Sequence, residues 1–428
     1  MIPSGYQYID EFPLTINGKI DRRALPTIAY SSSVDFVAPR TSEEKVVRDC
    51  IANILNIDNS RLSILENFFN IGGDSIKAIK LISTLNNKLH RNFDIKVIFE
   101  NKTIEKISES FMISNDSSDD VKTLKVVKQN FDSVENQSLS YAQKQYLATP
   151  KTAYSNVKIA FKIKEHVDVK KLIFALENVV KRHEILRTKL YGNYQYISKE
   201  PFIVTQSEIN RDEYFAHIFD LRKEYPIKAN IQNNIFTCVI DHIAFDGWST
   251  SLFLRDIESY YYDEVLPELR FQYKDYAKCQ QDFLNSSQIE PQLKFWKDEF
   301  SSYVPLKSFY TKKIDTVTKD GADEYLYLND DLYLEINRYV NNYGTTLHNF
   351  LLSIFFLSVI KVSGQKNISI MIPSLNRSVS GVEDLIGLFI NKFLVTVNMN
   401  DSISYREFLN DLNSKIITYQ NNQDIPFE

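Results

Sequence analysis

Of the 428 residues, 43% are hydrophobic and 25% charged, with 28 Phe and 25 Tyr to fill cores, so global disorder is excluded. The length points to roughly two to four domains, because single cores stop growing well before it. A formal net charge of −5 with no Lys/Arg-dense run leaves no electrostatic footprint for a phosphate backbone, and nucleic acid is not an expected partner.

Cys50, Cys238 and Cys279 are odd in number and widely spaced in apolar or helical patterns, which reads as reduced buried thiols and excludes a disulfide framework. No apolar run approaches a membrane span, and the opening MIPSGYQYIDEF lacks the basic-then-apolar layout of a signal peptide. A cytoplasmic protein with no membrane partner is expected. The His residues are scattered without ligand spacing, so no metal site is expected either.

In chain order, residues 1–28 are too short for a core of their own yet carry a Gly turn and a cationic cluster in PLTINGKIDRRALP (13–26). Residues 29–40, AYSSSVDFVAPR, read as a linker. Residues 41–112 open with Thr41 and Glu44 spaced as a capping box. Val47, Cys50, Ile51, Ile54 and Leu55 then fall on one helical face. A second helix after GGD presents Ala78, Ile82, Leu85 and Leu89, and Ile104, Ile107 and Phe111 mark a third. The segment reads as a small all-α bundle of four-helix type. A polar, acidic linker (113–133) leads to residues 134–428, where helical patterns such as LIFALENVVKRHEIL (172–186) mix with strands such as IFTCVI (235–240), the signature of an α/β domain.

In FFNIGGDSIKAIKL (68–81), Gly72 and Gly73 permit a tight turn and Asp74 can cap the following helix, which leaves the Ser75 hydroxyl at its first turn. Unpaired N–H groups and the positive dipole end there accommodate an anion. A lone GGDS is otherwise only a turn with an N-cap. With Phe69, Gly72, Gly73, Asp74, Ser75 and Ile76 in place between two amphipathic helices, the segment resembles the peptidyl carrier domains of nonribosomal peptide synthetases. That resemblance implies 4′-phosphopantetheine attached to Ser75, a phosphopantetheinyl transferase as partner, and an aminoacyl or peptidyl thioester as cargo.

Pro13 through Leu25 resemble the end of an amino-acid adenylation domain. Lys19 is, by that resemblance, the mobile lysine that contacts the adenylate; its plain alternative is a solvated turn lysine. The ATP-binding body is absent from these residues, so no amino-acid activation is expected of them. An upstream adenylation domain and downstream carrier and adenylation domains are the implied partners, and the chain reads as a fragment.

The strand IFTCVI runs into DHIAFDGWS (241–249), and Phe253, Ile257, Tyr260 and Tyr261 continue a helix for which Ser249 is the expected cap. This strand-loop-helix holds His242, Asp246 and Gly247 together. A His there accepts a proton near neutral pH, a carboxylate positions its surroundings, and a Gly lets substrate approach the backbone. A His beside an Asp is also a common structural network. The stretch resembles the H-H-x-x-x-D-G pattern of condensation domains. LSYAQKQYL (139–147), RHEILRTKL (182–190), YKDYA (273–277), IGLFIN (386–391) and NQDIPFE (422–428) follow in the family's order.

The departure is Asp241, at the position of the first His. By resemblance the fold is a two-lobed, chloramphenicol-acetyltransferase-like α/β domain, its C-terminal lobe truncated, with His242 between donor thioester and acceptor amine. Asp246 is chiefly structural and pairs with an arginine, either Arg377 in IPSLNRS (372–378) or Arg187. RHEILRT is architecture more than chemistry. An epimerization domain and a non-catalytic docking scaffold are the competing readings, the first disfavoured by IGLFIN, FDGWST and DIPFE, the second supported only by Asp241.

Overall fold

The computed structural model describes residues 34–73, 75–89, 93, 96–113, 124–131, 137–149, 156–301, 303–306, 324–343, 345–377, 379, 381–400 and 402–427. Lys19 and Asp74 lie outside them. The chain divides into two compact units, residues 1–119 with 312–354 and residues 120–311 with 355–428. Among the described residues, no helix is long and apolar enough to cross a membrane.

In the first unit, α1 (Ser42–Leu55) starts on the expected capping box: Thr41 accepts from the Glu44 N–H, and the Glu44 carboxylate reaches back to the Thr41 N–H. Asn56, in the left-handed region at φ 53°, ends the helix. Then come α2 (Ser75–Leu89), α3 (Lys96–Asn101) and α4 (Ile104–Ile113). Their apolar faces form one core in which Val47, Cys50, Ile51, Ala78, Ile82, Leu85, Ile104, Ile107 and Phe111 are buried, while Ile54, Leu55 and Leu89 pack at its edge.

The second unit contains α5 (Tyr141–Ala148), β1 (Asn156–Lys162), α6 (Val169–Arg182), β2 (Thr188–Tyr191), β3 (Tyr194–Ile197), α7 (Arg211–Phe215), β4 (Ile227–Gln232) and β5 (Ile235–Asp241). It continues with α8 (Gly247–Tyr261), α9 (Tyr273–Leu284) and α10 (Glu290–Phe300). Helix α11 (Asp330–Tyr343) falls in the first unit and α12 (Leu347–Ser363) runs across the division at residue 354; the second unit then has β6 (Asn367–Ser374), β7 (Asn391–Asn398) and α13 (Tyr405–Asn421). The main sheet is antiparallel in the order β1-β5-β4, with Asn156 opposite Asp241 and Ile227 opposite Ile240. Asn233 and Asn234, both at positive φ, make the two-residue turn from β4 to β5. Central β5 is buried from Phe236 to Asp241, so its apolar run is two-sided core rather than an alternating face. Helices α6 and α8 pack against one another through the same core.

The helical pattern over 172–186 is broken in the fold: α6 ends at Arg182, and Glu184–Arg187 form a 3-10 turn. His183, the residue between them, is 1% exposed. Its Nε2 lies 2.9 Å from Asp256 Oδ2, and its Nδ1 accepts from the Ile386 N–H at 3.5 Å. Because a backbone N–H can only donate, the ring is the neutral tautomer that donates from Nε2. Arg182 and Arg255 complete the shell of Asp256.

Burial holds the His183 pKa below the ordinary imidazole value, against the opposing pull of Asp256. A depressed folded-state pKa means that the unfolded chain takes up the proton first. The stabilisation is complete above about pH 6.5, the reference value, and is lost as pH falls below it. Urea denaturation at pH 7.5 and 5.5 is expected to show wild type losing stability on acidification. His183→Gln should be weaker at pH 7.5 but less sensitive to the change.

Candidate active site

Strand β5 carries the chain to Asp241, where a 3-10 turn, His242–Ala244, interrupts it before α8. The buried Asp241 carboxylate accepts from the Ile243 N–H at 3.0 Å and caps that turn. The residue that departs from the family pattern thus fixes the turn presenting His242. Helix α8 is capped by Asp246, whose Oδ1 accepts from the Ser249 N–H (2.9 Å) and Oγ–H (2.7 Å). This corrects the expectation that Ser249 is the cap: Ser249 stands inside the first turn and donates, because Asp246, with extended backbone at φ −119° and ψ 179°, occupies the capping position.

Asp246 and Arg377 are each about 3% exposed on their side chains, and Arg377 Nη2 lies 3.1 Å from both carboxylate oxygens. Arg377 Nη1 donates to the Val382 (2.9 Å) and Leu385 (2.6 Å) carbonyls, and its guanidinium stacks 4.0 Å from the centre of the Phe389 ring. Asp246 Oδ2 also accepts from the Phe389 N–H at 3.1 Å. Arg187, the other candidate, is turned elsewhere: it pairs with Glu184 and donates to the Ser198 carbonyl at 2.7 Å. Asp246, saturated with donors, has no capacity left for chemistry. It shapes the loop.

His242 opens on a cavity of about 250 Å³ whose wall includes Tyr146, Tyr276, Gln280, Asn376 and Asn391. Its Nδ1 is buried with no hydrogen-bond partner among the described residues. Gly247, the first residue of α8, has open space where a Cβ would stand. Tyr146, Tyr276, Asn376 and Asn391 lie inside stretches singled out in the sequence (LSYAQKQYL, YKDYA, IPSLNRS and IGLFIN) that carried no role for them, whereas Gln280 lies outside all of these. Gly387 explains how IGLFIN approaches so closely: a Cβ there would stand 2.1 Å from the Tyr273 ring, and its N–H donates to Ser249 Oγ at 3.1 Å.

Ser75 is the first residue of α2. Gly72 at φ 104° turns the chain into it, and a Cβ on Gly73 would collide with the Phe68 carbonyl at 2.4 Å. The first helical turn carries no acidic residue, and the Lys77 ammonium, also in that turn, donates to the Gly72 carbonyl at 2.6 Å. A helix N-terminus with a cation in its first turn can accommodate a phosphodiester.

Residues 133–428 match the family described as Condensation domain, and residues 45–111 the one described as Phosphopantetheine attachment site. Over its whole length the chain is 28% identical to gramicidin S synthase 2 of Brevibacillus brevis, and 26% identical to bacitracin synthase 1 of Bacillus licheniformis. It spans only 10% and 8% of those proteins. Among solved structures, the X-domain from teicoplanin biosynthesis superposes with a TM-score of 0.56 at 20% identity, over 71% of this chain and 74% of that one. A four-domain nonribosomal peptide synthetase bound to AMP and glycine gives 0.58 at 20% identity, over 68% and 24%.

Removing one partner of the buried pair strands the other's charge, so Asp246→Ala is expected to cost about 3–5 kcal/mol in chemical denaturation. Asp241→Asn keeps an acceptor for the Ile243 N–H and should leave stability within about 0.5 kcal/mol of wild type, whereas Asp241→Ala should lose about 1 kcal/mol.

Proposed function

The chain belongs to the condensation-domain family, with a phosphopantetheine attachment domain ahead of it, and we propose that it joins an acyl thioester to an amine through His242. The observation that carries this reading is the placement of His242 at the wall of a cavity, on a turn capped by Asp241 and followed by a loop locked to Arg377. On this reading residues 41–112 are the carrier, residues 134–428 the condensation domain, and residues 1–28 the tail of an adenylation domain. Ser75 takes the phosphopantetheine, and its place as the first residue of α2, with Lys77 in the same turn, supports that assignment.

When bound, that group supplies the thiol that bears the acyl chain. The residues of the cavity do the rest. The amine nitrogen adds to the thioester carbonyl carbon, His242 takes a proton from it, the C–S bond breaks, and the proton passes to the departing sulfur. Amide and free thiol are the products. Full proton transfer before attack is not required; positioning with assistance as the N–C bond forms is enough. The partners on this reading are a phosphopantetheinyl transferase and neighbouring modules of a nonribosomal peptide synthetase, and the setting is the cytoplasm.

The test is priming by a phosphopantetheinyl transferase followed by intact-mass analysis. Wild type should gain one phosphopantetheine and Ser75→Ala none. With an aminoacyl donor loaded, His242→Ala should prime normally but form amide roughly 10²–10⁴-fold more slowly. Amide formation at the wild-type rate in that variant overturns the assignment.

A further inference from the structure

The cavity that His242 faces holds a second group with chemistry to offer. Tyr276, on α9, is 2% exposed and lines the cavity together with Gln280 and Asn376. Gln280 Nε2 donates to the Tyr276 oxygen at 3.0 Å. The orientation of that amide is fixed, because Gln280 Oε1 accepts from the Tyr141 backbone N–H at 2.9 Å and a backbone N–H cannot accept. One acceptor site of the phenol is therefore already taken.

Asn376, held in the left-handed region at φ 51°, places its amide 3.2 Å from the same oxygen. Its Nδ2 donates there, so the phenol accepts from both neighbours and its own O–H is left to donate; both residues line the cavity of His242. Burial pushes the Tyr276 pKa above its usual range, with the Asp424 carboxylate adding to the effect, so the phenol keeps its proton throughout the working pH range.

We propose that Tyr276, backed by Asn376, is the hydrogen-bond donor to the carbonyl oxygen of the acyl thioester. This rests on the assignment of the His242 cavity to amide formation. When the amine nitrogen bonds to the carbonyl carbon, the C=O π pair moves onto oxygen, and the Tyr276 donor meets that charge. When the pair returns, the C–S bond breaks and the proton held by His242 goes to sulfur. A donor fixed in advance by Gln280 and its backbone anchor needs no reorganisation as charge develops. His242 and Tyr276 thereby divide the work: one handles the proton of the nucleophile, the other the charge of the electrophile.

The experiment uses the whole 428-residue chain, primed and loaded with an aminoacyl donor, with an aminoacyl N-acetylcysteamine thioester as the acceptor amine. Tyr276→Phe keeps the ring and removes the O–H; kcat is expected to fall about 10²-fold, with KM for the acceptor within two-fold of wild type. Replacing Tyr276 by 3,5-difluorotyrosine, a more acidic phenol of nearly the same shape, should raise kcat at unchanged KM, a response that a merely structural ring would not give and one that survives if the Phe variant misfolds. A Phe variant within two-fold of the wild-type kcat, or a fluorinated chain with unaltered kcat, overturns the donor assignment. Should His242→Ala retain the wild-type rate, or wild type form no amide, the underlying reading of the cavity falls with it.

Discussion

A guanidinium and a carboxylate withdrawn from water tie the end of the main sheet to the segment that closes the cavity. Desolvation alone makes such a pair expensive, and attraction between the partners repays it only when every remaining donor and acceptor is also satisfied. Arg377 and Asp246 come close to that condition. The carboxylate is surrounded by Arg377, Ser249 and the Phe389 N–H, and Nη1 of the guanidinium spends its hydrogens on the Val382 and Leu385 carbonyls. Arg377 Nε has no partner among the described residues. Burial pulls the Arg377 pKa below its usual range while Asp246 pulls it up, the expected balance for a cation held dry by its counter-ion. A surface pair of the same atoms would be worth little; this one is a constraint on geometry.

The rest of the active-site architecture follows from that constraint. With Asp246 pinned, the turn of His242–Ala244 has its cap at Asp241 behind it and the start of α8 ahead of it, so the histidine is held from both sides. The Ile386–Phe389 backbone is pinned as well, through His183, Ser249 and Asp246, and the Tyr273 hydroxyl donates to the Leu388 carbonyl at 2.6 Å. The cavity is therefore walled by elements far apart in sequence that share one buried polar network, which favours a single arrangement of its groups.

Much of this was legible in the sequence, for identifiable reasons. Helices such as α1 announce themselves through local rules, and the Thr41–Glu44 box and the burial of Val47, Cys50 and Ile51 follow directly from spacing. His242, Asp246 and Gly247 stood out because they are neighbours in the chain. What spacing does not encode is which distant partner a side chain meets. Arg377 and Arg187 are equivalent as letters, and only the fold sends one to Asp246 and the other to Glu184. Asp246 and Ser249 are both good capping residues for α8, and only backbone conformation decides between them. Tyr276, Gln280 and Asn376 converge only after α9 and the chain following β6 come together, so their joint role had no local signal.

Gly387 shows how far a single missing side chain reaches. It touches Tyr273 and Ser249, and does not itself line the cavity. Yet one added carbon would push this stretch of backbone off the aromatic ring, drag Phe389 out from under the guanidinium, and loosen the turn that aims the imidazole. The tolerances of the reacting centre are thus set partly by an empty volume behind its wall, and a lesion there would reach catalysis as a mechanical fault, with every chemically active group still in place.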